Sequence, residues 1–125
     1  MSSPTPVLVL IVVDDDEQLR RAVGRLLRSH GHEVHAFASA EACLAEQCDA
    51  DCAIVDIDLP GMSGLDLDTR LKQDGRSIPS VFMTGHDEWR IAGAVERHGR
   101  PILRKPLDEE ALLAAIARAT SAVAQ

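Results

Sequence analysis

Asp14, Asp15 and Asp16 follow directly on the longest apolar run of the chain, Val7 to Val13. Asp56 and Asp58 close a second apolar run, Thr84 a third, and Lys105-Pro106 a fourth. Carboxylates gathered in one place repel one another, and in an interior-like dielectric this costs several kcal/mol unless a cation is present. Oxygen ligands with open positions suit Mg2+, which keeps several waters and commonly bridges protein carboxylates and phosphate. One carboxylate can then attack phosphorus and become an aspartyl phosphate. Attack by an anion on an anionic phosphoryl group requires charge neutralisation. A divalent cation and one Lys ammonium supply it, and a Thr hydroxyl can donate to a phosphoryl oxygen. Each residue alone has a plainer role. A strand-end Asp often caps the next helix, the reading preferred for Asp16. A lone Thr at a strand end is structural, a lone Lys before Pro is solvated, and the side chain of Asp58 is read as facing water. Only the joint placement of these groups gives them weight as a site.

Such residues, remote in sequence, need a scaffold that gathers them. Val7–Val13 is all apolar and rich in β-branched residues, the pattern of a strand covered on both faces. A helix follows from about Asp16 to His30, with Leu19, Val23, Leu26 and Leu27 on one face and Gly31 suited to a left-handed C′ position. Glu33–Phe37 reads as a second strand, and Ser39 caps a small helix running to about Gln47. Cys52–Val55, ending at Asp56, is the third strand. Pro60-Gly61 and Ser63-Gly64 mark a loop before a helix over about 64–73 that carries Leu65, Leu67 and Leu71. Ser80–Met83 is the fourth strand, a helix is predicted over about 88–97, and Pro101–Arg104 is the fifth strand. A last helix starts near Asp108, where Glu109 and Glu110 suit its positive N-terminal dipole, and runs to about Val123 over a core stripe of Leu112, Leu113, Ile116 and Ala119. Strands alternating with helices imply an α/β fold: a doubly wound five-stranded parallel sheet with helices on both faces. All C-terminal strand ends then share one edge, where ligands bind in such sheets.

The chain has 125 residues, enough for one domain: a polar leader over residues 1–6 and a folded unit over 7–123. A net charge of −7 argues against direct nucleic-acid binding by this chain. With 2% aromatic residues and no Tyr there is little to stack on bases. No apolar run approaches the roughly 18 residues that span a bilayer. Val7–Val13 lacks both a preceding basic residue and a following cleavage site, so a cytoplasmic location is expected. Cys43, Cys48 and Cys52 fit no zinc spacing and are read as buried or half-buried thiols. The histidines at 30, 32, 35, 86 and 98 form no ligand pair; His86, two residues after Thr84, is read as a surface residue.

The segments IVVDDDEQLRR, AIVDIDLPGMSG, VFMTGHD and ILRKPL, in that order on successive strand ends, resemble the receiver domain of two-component response regulators across about Val7 to Ala119. The phrases LPGMSG and TGH look most like the FixJ-type subfamily. The resemblance implies a flavodoxin-like sheet of strand order 2-1-3-4-5 and a regulatory phosphoacceptor that assists its own phosphotransfer and dephosphorylation. It implies Asp56 as phosphoacceptor and Asp15 as direct Mg2+ ligand, with Asp14 acting largely through water and the backbone carbonyl of Asp58 completing the metal site. Thr84 would sense the phosphoryl group, Lys105 would pair with it, and Lys105-Pro106 would be a cis peptide bond. A sensor histidine kinase or histidine phosphotransfer protein would be the donor. A homodimer would use the face of the predicted 88–97 helix, the fifth strand and the last helix.

Some positions depart from the family pattern. Ile102 stands where receivers usually carry an aromatic residue, so no ring can rotate toward Thr84 there. Gly99-Arg100 replaces the usual Gly-Ala, and Gly93 lies inside the predicted 88–97 helix. These departures favour one alternative, a receiver-like binding module without a switch. A second alternative is an Mg2+-dependent phosphatase, because Asp56-Ile57-Asp58 resembles the nucleophile motif of haloacid-dehalogenase-type enzymes. Pro60 stands where that motif has Thr or Val, and the chain leaves no room for a cap.

Overall fold

The computed structural model describes residues 7–47, 49–76, 78–85 and 100–123. The elements run β1 (Val9–Val13), α1 (Glu17–Ser29), β2 (Glu33–Phe37), α2 (Ala40–Glu46), β3 (Cys52–Asp56), α3 (Gly64–Gln73), β4 (Ser80–Thr84), β5 (Ile102–Arg104) and α4 (Glu109–Val123). The strands form one parallel sheet of order β2-β1-β3-β4-β5. The helix expected over 88–97, with His86 and that part of the dimer face, lies outside the described residues, as do residues 1–6 and Cys48.

Side chains alternate across a strand, and the central strands use both faces. Ile11, Val13, Ala53, Val55 and Phe82 pack with Ala40 and Cys43 of α2 and with Leu67 and Leu71 of α3. Leu10, Val12, Cys52, Ile54, Val81 and Met83 pack with Val23 and Leu27 of α1 and with Leu112, Ala115 and Ile116 of α4. Each fully buried aliphatic side chain contributes about 1.5–3 kcal/mol of transfer free energy, so these two layers hold the strand ends in place. Val7–Val13 is covered on both faces only from Leu10 onward. Val7 is 70% exposed, and the strand begins at Val9, where Glu33 is the first partner in the β1–β2 ladder.

The helix ends follow their sequence signals. The Asp16 side chain accepts from the N–H groups of Gln18 and Leu19, so it is a cap, and Ser39 caps α2 by accepting from Ala42. Gly31 has φ +89 and donates to Arg28, while His32 donates to Leu27, which satisfies two end carbonyls of α1. Cys43 and Cys52 are buried thiols, and burial pushes the Cys52 thiol up to about 12. The thiolate is the reactive form. Cys52 therefore stays unmodified by iodoacetamide at pH near 8 in the folded protein and reacts after denaturation; rapid native alkylation, read by peptide mass spectrometry, would contradict its place in the core.

Candidate functional site

Sheet register builds the site. Val13 lies beside Val55, so the next residues, Asp14 and Asp56, come side by side at the carboxyl edge. Asp56 pairs with Met83, and Thr84 with Arg104, which brings Thr84 and Lys105 to the same edge. The backbone N–H of Lys105 donates to the Thr84 carbonyl at 2.8 Å, extending the ladder into the site, and the Lys105-Pro106 bond is cis.

Carboxylate oxygens of Asp14, Asp15 and Asp56 lie within 4.8 Å of one another. Asp14 and Asp56 are buried and Asp15 is exposed. Lys105 Nζ is 2.8 Å from Asp14 Oδ2 and 3.1 Å from Asp56 Oδ2, so one ammonium bridges both buried acids. The second oxygen of each is held by backbone: Asp16 N–H donates to Asp14 Oδ1 at 2.8 Å, and Asp58 N–H to Asp56 Oδ1 at 3.0 Å. Burial raises the Asp56 carboxyl above its ordinary value; the Asp58 N–H works against this, the Asp14 charge adds to it, and Lys105 offsets only part. Burial disfavours the Lys105 charge, but hydrogen bonds and Coulomb attraction to Asp14 and Asp56 outweigh it and hold the ammonium above its ordinary value.

Thr84 is buried, and its hydroxyl donates to Asp58 Oδ2 at 3.3 Å. The reading of the Asp58 side chain as facing water is thus half right: it is exposed, yet it also engages Thr84. Asp16 stays apart as a helix cap. Sequence reasoning overlooked Arg20, whose Nη1 donates to the Asp14 carbonyl at 2.8 Å. An Arg one turn into a helix carries no signal that it will fold back over the preceding strand end.

Gly64 lets α3 start against the site. A Cβ there would lie 2.4 Å from the Asp56 carbonyl oxygen and 2.9 Å from Val55 Cγ1, closer than real contacts allow. Gly64→Ala is expected to cost about 2 kcal/mol by forcing α3 away from β3. An unchanged urea midpoint would show that the contact relaxes freely.

The donor set fits a hard cation. All its atoms are oxygen, two carboxylates are buried, and the exposed third leaves an open side where a cation can keep water.

Residues 10–117 match the response regulator receiver domain. The chain is 39% identical over 111 residues to response regulator protein TmoT of Ectopseudomonas mendocina, covering 86% of this chain and 50% of that protein. It is 35% identical over 108 residues to the transcriptional regulatory protein FixJ of Azorhizobium caulinodans, covering 84% of this chain and 51% of that one. Likeness to FixJ-type proteins is therefore real but shared with other regulators that match more strongly. Among solved structures, response regulator StyR superposes with a TM-score of 0.80 at 36% identity, covering 91% of this chain and 59% of that one. The chain spans about half the length of the curated relatives it matches. No described helix is long and apolar enough to cross a membrane. A flavodoxin-like sheet with these acids at its carboxyl edge, matched to one family over nearly its whole folded length, places the chain in the response regulator receiver domain family.

Proposed function

We propose that the chain is a phosphoacceptor switch of a two-component system, with Asp56 as the acceptor. The observation that carries this reading is the convergence of Asp14, Asp15, Asp56 and Lys105 from three separate strand ends. Asp15, Asp56 and the Asp58 carbonyl would hold Mg2+ directly, and Asp14 through water. The division of roles between Asp14 and Asp15 follows the family resemblance; Asp14 is buried, and Asp15 is the exposed acid, open to a hydrated cation. When bound, the cation would offset the charge of carboxylates and phosphoryl oxygens.

In the transfer itself, an Asp56 carboxylate oxygen forms the new O–P bond. The bond from phosphorus to the donor imidazole nitrogen breaks, and that nitrogen keeps the electron pair. Lys105 stands ready to meet the added negative charge. Thr84 donates to Asp58 before transfer and must turn from it to donate to a phosphoryl oxygen, which links chemistry to a change at the end of β4. The donor is a sensor histidine kinase or a histidine phosphotransfer protein, and the folded receiver unit spans 7–123. In this reading the chain assists its own phosphotransfer and dephosphorylation, and is otherwise regulatory. The test is incubation with acetyl phosphate and Mg2+, followed by borohydride reduction and peptide mass spectrometry. Reduction at Asp56, dependent on Mg2+, is expected; reduction elsewhere or none would overturn the assignment.

A further inference from the structure

The loop between Asp56 and α3 has to present the Asp58 carbonyl in a fixed place. Its first residues are well anchored. Ile57 and Leu59 are buried, and Ile57 N–H donates to the Met83 carbonyl at 2.9 Å. Its end is also anchored, because Ser63 caps α3 and Gly64 N–H donates to the Ile57 carbonyl. Between these lie exposed Pro60 and then Gly61 with φ +77. This stretch is gripped from another element. Glu41, in the first turn of α2, accepts the Met62 N–H on Oε2 at 3.2 Å. The same oxygen lies 2.6 Å from where a Cβ on Gly61 would stand. The carboxylate thus occupies the side-chain space that glycine leaves open, against a backbone turn that only glycine adopts freely.

We propose that Glu41 is a positioning residue for the site: its carboxylate clamps Gly61–Met62 and thereby fixes the loop that carries the Asp58 carbonyl. The inference rests on the metal-assisted phosphoacceptor reading and deepens it. Glu41 touches neither the cation nor the phosphoryl group. It acts through the backbone, much as groups behind a metal ligand set the ligand's orientation and the affinity of the site. Glu41→Ala removes the acceptor. Glu41→Gln removes the charge but keeps an oxygen that can accept from Met62, so the pair separates positioning from electrostatics and from any effect of the charge on α2.

The test compares wild type, E41Q, E41A and D56N by Mg2+ calorimetry, by acetyl phosphate labelling across Mg2+ concentrations, and by Met62 amide exchange in metal-free protein. E41A is expected to bind Mg2+ roughly tenfold more weakly. Its labelling should slow in proportion at low Mg2+ and recover when Mg2+ is saturating, and its Met62 amide should exchange faster. E41Q is expected to stay within about twofold of wild type, because the hydrogen bond survives. Wild-type Mg2+ affinity in E41A would overturn the proposal, and so would equal loss in E41Q with Met62 still protected. If wild type itself neither binds Mg2+ nor labels, the phosphoacceptor reading fails instead, and D56N shows whether the calorimetric signal belongs to this site.

Discussion

Asp56→Asn is expected to abolish labelling by acetyl phosphate, by at least about a hundredfold, because an amide oxygen does not replace a carboxylate nucleophile. The same substitution should stabilise the metal-free protein. The raised Asp56 carboxyl means that its surroundings, chiefly burial and then the charge of Asp14, disfavour the ionised form despite Lys105. A neutral isostere can keep the hydrogen bond from Asp58 N–H and shed the unfavourable charge. The sign with pH follows from linkage. A carboxyl raised on folding binds protons more tightly in the folded state, so wild-type stability falls as pH rises from the ordinary Asp range through the raised value. The advantage of Asp56→Asn is therefore present at neutral pH and shrinks on acidification. In EDTA near pH 8 its Tm should exceed wild type by about 2–5 °C, the shift that ~1 kcal/mol gives in a domain of this size. Adding Mg2+ should raise the wild-type Tm more than the variant's, because only wild type keeps the full ligand set. A lower Tm for Asp56→Asn in EDTA would mean that Lys105 more than compensates the two acids.

Lys105→Met should act in the opposite direction. The ammonium is the cation shared by two buried carboxylates, and its side chain is only 24% exposed. Removing one partner of a buried ionic cluster leaves uncompensated charge, at a cost of about 3 kcal/mol. That corresponds to a Tm lower by roughly 10 °C without Mg2+. Lys105 is held above its ordinary value of 10.5, so its contribution is complete below that value and is lost as pH rises through the higher folded value. The gap between wild type and Lys105→Met should thus persist across neutral pH and close in strong base. Mg2+ should narrow it at neutral pH by supplying a replacement cation. A variant as stable as wild type in EDTA would show that the acids are offset by something other than Lys105.

The fold was legible because three apolar strands, Val7–Val13, Cys52–Val55 and Ser80–Met83, have no surface period and so demand cover on both faces. Boundaries slipped by a residue or two where pairing decides them, as at Val9, whereas the end of β3 at Asp56 is as the apolar run indicated. Caps at Asp16 and Ser39 were legible because the side chain bonds only two or three residues away. The meeting of Asp14, Asp56 and Lys105 was legible from strand order. The contact of Thr84 with Asp58 was not, since it depends on two rotamers across 26 residues of sequence. Asp68 shows the same limit. It sits on α3 between apolar positions, yet it is buried against Ser80, Lys72 and Arg100, and nothing in its local sequence marks a charge that folding will cover. Arg100, the departure from the usual Gly-Ala, thereby gains a structural role beside β4.

The central claim is a divalent cation held beside Asp56 at the carboxyl edge of the sheet. Crystals grown with Mn2+ in place of Mg2+, with data collected for its anomalous signal, test this most directly. One strong peak is expected about 2.2 Å from carboxylate oxygens of Asp15 and Asp56 and from the Asp58 carbonyl, with Asp14 linked through water. A peak held by other residues, or well-ordered crystals with no peak between these acids, would contradict it.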